Sequence, residues 1–212
     1  MSSLDLLTYK LKGAFPAVYR FVHSAANIAT SIRHWRRKRA AFAVAELGGA
    51  VCGDSAVVAP LSPGDADEVS RWFSNMSKAH LEYFRPHGFS RRQLRRIFRS
   101  PAYCCYGVRV QDRITAYALI KLFPTRVCYL GLIVTSAYKG MGIGKFLWRY
   151  MLWQAAQMRL SPRATIHEDN IASMKSLKSI RSNVQLHPLL GGYIQVKVPH
   201  APVDDIKPEL IL

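Results

Sequence analysis

Residues 135–145 read TSAYKGMGIGK, and this stretch decides the fold. It closes an apolar run at 129–134 and opens an apolar helical pattern over 146–158. Strand, glycine loop and helix in that order build an anion cradle, because close-spaced glycines let main-chain N–H groups converge on phosphate oxygens where a helix start is already positive. Three glycines in five residues, Gly140, Gly142 and Gly144, add unfolded-state entropy that a mere turn does not need. The expected ligand carries a pyrophosphate.

Spacing excludes the two commonest phosphate loops. A Walker loop needs Ser or Thr directly after Gly-Lys to hold magnesium, whereas Phe146 follows Lys145, and Lys139 stands where that loop has its first glycine. A dinucleotide fingerprint needs a glycine three residues after Gly142, and that slot holds Lys145.

What remains, Lys139-Gly140-Met141-Gly142-Ile143-Gly144, resembles the Gln/Arg-x-x-Gly-x-Gly/Ala loop of the GNAT-type N-acetyltransferases. Leu132, Ile133 and Val134 ahead of the loop, the helix behind it, and the later HEDNIAS, in which Asn170 and Ser173 match an Asn-x-x-Ala/Ser motif, strengthen the resemblance. It spans residues 57–198, with its specific motifs between Leu130 and Ser173. The resemblance implies an α/β (α+β) fold: a mixed, mostly antiparallel sheet splayed at the central strand before the loop and flanked by helices. It also implies acetyl-CoA as co-substrate and no metal. Residues 139–145 (Lys139, Gly140, Met141, Gly142, Ile143, Gly144, Lys145) would grip the pyrophosphate. Leu132, Ile133, Val134, Asn170 and Ser173 would line the rest of the cofactor site, with a backbone N–H near Val134 facing the thioester carbonyl. Asn170 can equally cap the helix that follows it.

The departures bear on mechanism. Lys139 replaces the usual Gln or Arg and keeps a donor without its planar geometry. Leu177 stands where many members carry a Tyr that protonates the leaving thiolate, and strand 126–134 has no acid to serve as base. An amine with a lysine-like pKa of about 10.4 arrives protonated and cannot attack a thioester until something takes the proton. His167, His87 and Glu82 are the candidate catalytic residues beside Val134, with Glu168 as a further acid. Tyr129 and Tyr150 are candidate replacement acids.

On the acceptor side, Pro86 and Gly88 in HLEYFRPHGFS (80–90) set a turn that would present His80, Glu82, Tyr83 and His87 to the cleft. Its YFRPHGF part resembles a Phe-x-Pro-His segment of a GNAT subgroup that includes members encoded with surface-polysaccharide genes. The helix after Ser90 carries Arg91, Arg92, Arg95, Arg96 and Arg99 on one stripe. Like charges four apart destabilise a helix, so the stripe suggests a compensating anion; a solvated basic face is the plainer reading. With the resemblance, this helix borders the acceptor site, and Tyr83, His87, Arg92, Arg95 and Arg96 are the candidate acceptor-binding residues.

The chain has 212 residues and a formal charge of +17, with half its residues apolar. This suits one folded domain plus an extension, and a polyanionic partner or surface: CoA, a nucleotide sugar, nucleic acid or anionic lipid. Four cysteines without metal spacing or a disulfide framework fit a reducing cytosol. Residues 1–48 read as a basic amphipathic helical extension, 49–200 as the acyltransferase domain, with a boundary at Gly48 and Gly49, and 201–212 as a tail. RHWRRKR (33–39), beside Trp35, Phe42 and Val44, suits an anionic membrane surface on the inner face of a membrane. A targeting peptide, a nucleic-acid arm and a helix packed on the domain are the alternatives. No stretch approaches the roughly twenty apolar residues a spanning helix requires.

Strands are expected at 56–61, 103–110, 114–123, 126–134, 164–167 and 191–198, with helices after Ser62, after Ser90, after the glycine loop and at 171–180. The function expected is acetyl transfer from acetyl-CoA to an amine in a ternary complex. The first acceptor choice is an amino sugar on a nucleotide or lipid carrier, then a small amine or antibiotic. The rivals are a catalytically degenerate GNAT-like binding module for nucleic acid or membrane, and a protein-lysine acetyltransferase whose basic peptide the arginine stripe repels. Nucleic acid is the less expected partner.

Overall fold

The computed structural model describes residues 16–212, with the side chains of 25, 28–30 and 32–212; the first part of the basic extension expected at 1–48 therefore lies outside the described residues. In chain order the elements are α1 (Pro16–Ala43), β1 (Leu47–Val51), β2 (Asp54–Pro60), α2 (Ala66–Ser74), α3 (Arg91–Arg99), β3 (Tyr103–Val110), β4 (Arg113–Leu122), β5 (Val127–Val134), α4 (Ile143–Gln157), β6 (Ser161–His167), α5 (Ile171–Ile180), β7 (Gln185–Pro188), β8 (Tyr193–Lys197) and β9 (Leu210–Ile211). The strands form one sheet in the order β7-β8-β6-β5-β4-β3-β2-β1-β9. Only β5–β6 and β1–β9 pair in parallel.

Helices cover both faces, so the central strands are apolar on both. Along β4, Ala116, Ala118, Ile120 and Leu122 join the core under α1, α4 and α5, while Tyr117 and Leu119 join the core under α2 and α3. That alternation makes β4 a nearly continuous apolar run. Vicinal Cys104 and Cys105 divide in the same way between the two cores. Helix α4 is wedged between the sheet, α1, α5 and a turn at Pro202–Asp205. Of its 15 residues only Lys145, Arg149 and Gln157 are exposed, which is why the sequence there is apolar almost all round.

Local chemistry fixes the helix starts. Ser90 and Gln93 form a capping box that starts α3, and Leu94 roots that helix with no exposure at all. Ser62 and Asp65 form another on the short turn ahead of α2.

Three strands go beyond the expected set: β1, β7 and β9. Gly48 and Gly49, expected at a boundary, lie inside β1, which hairpins onto β2 and takes β9 on its outer edge. Residues 201–212 likewise join the domain through the Pro202–Asp205 turn on α4, the buried Arg181–Asp204 pair and β9. Among the described residues, no helix is long and apolar enough to cross a membrane.

Candidate functional site

The glycine loop leaves the end of β5 through a short turn at Ser136–Tyr138. Gly140 and Gly142 have φ of 82° and 83°, the left-handed region that side-chain-bearing residues avoid. Gly142 is the N-cap of α4, and no side chain caps that end. The first intrahelical bond runs from Phe146 N–H to Gly142 O at 2.9 Å, so the amides of 143–145 have no acceptor within the helix. A Cβ on Gly140 would meet nothing within 4 Å. Uncapped amides at a 15-residue helix start, open space beside Gly140, and the exposed Lys139 and Lys145 on either side fit a diphosphate.

The sheet opens next to this loop. β5 pairs with β6 only as far as Leu130 with Ala164. β5 continues to Val134 along β4, and β6 continues to His167 along β8. Residues 131–134 and 165–167 therefore diverge unpaired. Thr135 N–H bonds Thr115 O at 2.9 Å, and hydrogen-bonding direction alternates along an antiparallel strand. The main-chain groups of Leu132 and Val134 accordingly face the opening, while those of Ile133 face β4. A free strand edge of this kind can pair with the amides of a pantetheine arm, and the Val134 N–H can meet a thioester oxygen.

Asn170 and Ser173 sit across the opening at the start of α5. The Asn170 side-chain oxygen accepts from Ser173 N–H at 3.2 Å, so Asn170 is a helix cap. The same helix brings Ser176 Oγ within 3.8 Å of where a Gly144 Cβ would be, and Val134 lies 4.0 Å from that point. Loop, strand end and α5 thus meet at one place. Leu177 is fully buried in the core beneath, and no acid stands there.

The opposite face of the opening is covered by the 75–90 connection. The Phe84 ring approaches Gly131 so closely that an added Cβ would sit 3.4 Å from it. His80 Nε2–H donates to the Val134 carbonyl at 2.8 Å, right at the free edge. Tyr83 stacks on His167 (centroids 5.1 Å apart, planes at 25°), and Tyr193 meets the same imidazole edge-on at 4.9 Å. Tyr83 arrives from the cover and His167 from the end of β6, so their stack bridges the divergence. Asp169 supports His167: its N–H donates to Nδ1 at 3.3 Å, and its Oδ2 lies 3.4 Å from the same nitrogen. The His167 ring and the Glu168 carboxylate both crowd Gly192. Partial desolvation, then the carboxylates of Glu82 and Asp169, hold the Tyr83 phenol above its ordinary value. In a chain this basic, an acidic and aromatic corner is a local reversal of charge.

The structure brings His167, Tyr83 and Val134 to the opening, with Glu82 exposed beside Tyr83. It places His87 elsewhere, which corrects the expectation that the Pro86–Gly88 turn presents this side chain to the cleft. His87 is enclosed by Phe89, Tyr103 and Tyr117. Its Nδ1–H donates to Gly88 O at 2.9 Å and its Nε2 accepts from the Tyr117 hydroxyl at 2.8 Å. Burial pushes its pKa below the ordinary value.

Arg92, Arg95 and Arg96 also point away from the opening. They line a separate surface hollow with Ser100 and Pro101, because α3 packs on α2 and β3, and β3 is separated from β5 by β4. Tyr150 is core, donating to Ala45 O at 2.6 Å, with its phenol pushed well up by burial. Tyr129 accepts from Gln195 Nε2 at 2.6 Å, and five residues of strand, roughly 17 Å, separate it from Val134. Tyr193 joins the site through the β6–β8 register, which pairs it with His167, and Asp169 through the turn that follows His167. Among the described residues, no group of three His, Cys, Asp or Glu is placed to hold a metal.

Comparisons with known proteins give the family and the fold. The profile described as "Acetyltransferase (GNAT) family" matches residues 68–179. No curated protein matches the chain. Among solved structures, the GNAT domain of S. lividans PAT is similar at 15% identity and a TM-score of 0.63, over 72% of this chain and 96% of that one. Mycobacterium smegmatis RimJ in complex with CoA-disulfide follows at 17% identity and 0.56, over 72% and 86%. The PaiA N-acetyltransferase from Thermoplasma acidophilum in complex with coenzyme A gives 15% and 0.56, over 69% and 99%. At these identities the likeness is one of fold.

Proposed function

Because this chain belongs to the acetyltransferase (GNAT) family and is an acetyl-CoA-dependent N-acetyltransferase, we propose that its acceptor is a cationic amino sugar bound at the Tyr83–His167–Tyr193 corner. The observation that carries the reading is the aromatic stack spanning the divergence of β5 and β6 with Glu82, Glu168 and Asp169 around it. A sugar ring lays its C–H face on an aromatic face, and an ammonium is drawn both to the π-face and to the carboxylates.

Each residue then has a task. The amides of 140–145 hold the diphosphate, and the free edge at Leu132 and Val134 holds the pantetheine arm. The Val134 N–H stabilises the oxyanion that forms as the amine nitrogen attacks the thioester carbonyl. His167 takes the proton from the ammonium, and the Asp169 carboxylate, its Oδ2 3.4 Å from Nδ1, stabilises the imidazolium. As the C–S bond breaks the acetyl group stays on nitrogen, the nitrogen releases its second proton to solvent, and the thiolate takes up a proton from solvent, since Leu177 supplies none. His80 fixes the Val134 carbonyl and with it the plane of the last peptide of β5.

The arginines of α3 lie on the β3 side and do not hold a carrier phosphate in this reading. A lipid or a nucleotide carrier would have to extend out of the opening. The test is CoA-thiol release from acetyl-CoA across free amino sugars, carrier-linked amino sugars, polyamines and lysine peptides. Turnover confined to amino sugars and lost in Tyr83→Ala is the expected result. Turnover with lysine peptides alone would overturn the acceptor assignment while leaving acetyl transfer standing.

A further inference from the structure

The rotation of α1 is fixed by one side of the helix. Thr30, His34 and Ala41 are 2% exposed or less. His34 Nε2 lies 3.1 Å from Phe123 O and 3.0 Å from Thr125 O, and Lys38 Nζ donates to Tyr103 O at 2.6 Å. This anchoring turns another stripe outward. Ile28, Ile32 and Trp35, spaced i, i+4, i+7, are 61%, 73% and 51% exposed. Three large apolar side chains, one per turn on a helix held rigidly to the domain, stay in water at a cost unless something covers them.

Basic residues surround that stripe. A hollow lined by Ile32, Trp35, Arg33, Arg36, Arg37 and Arg126 adjoins a second through Trp35. The second runs past Lys38 and Arg39 to Pro101, where the hollow bearing the five arginines of α3 begins. The surface is continuous across α1, the Ser100–Pro101 turn and α3. Residues 6–45, 83–111 and 113–167 contain no Asp or Glu. Among the described residues, Arg91 alone of this set meets a carboxylate, that of Asp67.

We propose that this α1–α3 face docks on an anionic lipid bilayer. Ile28, Ile32 and Trp35 enter the boundary between headgroups and acyl chains, and the flanking arginines bind lipid phosphates. The apolar stripe decides between polyanions. A nucleic-acid groove needs cations and stacking faces, and isoleucines standing clear of the surface add nothing there, whereas a bilayer boundary removes them from water. The surface is separate from the opening in the sheet and requires no particular acceptor, so it stands or falls independently of the acceptor assignment.

The test is sedimentation of the full chain with vesicles of phosphatidylcholine alone and of phosphatidylcholine mixed with phosphatidylglycerol, with tryptophan emission read in parallel. Trp148 and Trp153 are already buried and Trp72 is half-buried against Phe73, so the part of the blue shift that is lost in the Trp35→Ser variant reports on Trp35. Binding is expected to the anionic vesicles only, with a blue shift. Ile32→Ser with Trp35→Ser should weaken it by at least about tenfold. Arg33→Gln, Arg36→Gln and Arg37→Gln together should weaken it to a similar degree, and the corresponding Lys triple variant should bind like the wild type. Unchanged acetyl-CoA affinity in each variant verifies its fold. Equal binding by the serine variants, equal binding to neutral vesicles, or steeply salt-dependent binding to an oligonucleotide with none to vesicles would overturn the proposal.

Discussion

Alanine at Gly140, compared with alanine at Gly53, separates backbone strain from ligand binding. The two glycines have φ of 82° and 85°, and an added Cβ meets nothing within 4 Å at either. A side-chain-bearing residue held in the left-handed region costs about 1–2 kcal/mol. In Gly53→Ala that strain should lower the melting temperature by a few degrees, about 2–4 °C per kcal/mol for a chain this size, whereas Gly140→Ala should melt close to the wild type. Gly53 sits in the turn between β1 and β2; its neighbour Cys52 bonds the Leu212 carbonyl, and the Leu212 side chain abuts Gly142, so its strain falls chiefly on stability and reaches the loop only through Leu212. At Gly140 the loop can escape strain by leaving positive φ, which turns its amides away from the diphosphate. Recovering the cradle on binding then costs the same 1–2 kcal/mol, or roughly 5- to 30-fold in acetyl-CoA affinity. Calorimetric titration of acetyl-CoA into both variants, with melting curves for each, provides the measurement. Wild-type affinity in Gly140→Ala, or an equal loss in Gly53→Ala, would refute the cradle.

Gly192 has a φ of 74°, and an Ala Cβ there would lie 2.9 Å from His167 Nε2 and 3.0 Å from Glu168 Oε1. Gly192→Ala should displace the imidazole from Tyr83 and lower kcat between about 10- and 100-fold with acetyl-CoA affinity unchanged, as steady-state thiol release will show. The buried His87 has its pKa lowered by desolvation from an ordinary 6.5. The unfolded chain binds this proton more readily than the folded one, so the stability His87 contributes is complete above about pH 6.5 and is lost as pH falls through that value toward the lower folded-state pKa. Denaturant melts between pH 7.5 and 5 should therefore show falling stability, less steeply in His87→Gln; equal slopes would contradict the buried placement.

The parts of the site that sequence reveals are those carried by local chemistry. Gly140 and Gly142 adopt positive φ in the one place where glycine spacing demanded it, and Asn170 caps its helix within three residues. Ser90 and Gln93 likewise announce α3. What sequence conceals depends on partners far along the chain. The LGGAV of β1 looks like a linker until β9 and β2 flank it; a Gly49 Cβ would collide with the Leu210 carbonyl, so the glycine belongs to a close strand approach. The strand expected at 164–167 begins three residues earlier, with Ser161 and Pro162 of β6 paired with Val127 and Cys128. The Pro86–Gly88 turn fixes a bend without fixing its direction, so His87 points into an aromatic core while Tyr83, four residues earlier, faces the opening. Tyr193 reaches His167 only through the register of β6 on β8.

The central claim is that a thioester donor lies along the free edge of β5 with its diphosphate on the amides of 140–145. A crystal structure of the chain grown with CoA tests it directly. The account predicts phosphate oxygens within hydrogen-bonding distance of those amides, and the pantetheine arm between Val134 and the end of β6, displacing His80 from the Val134 carbonyl if the arm takes that acceptor. CoA bound on another surface, or an opening between β5 and β6 too narrow for the arm, would contradict it.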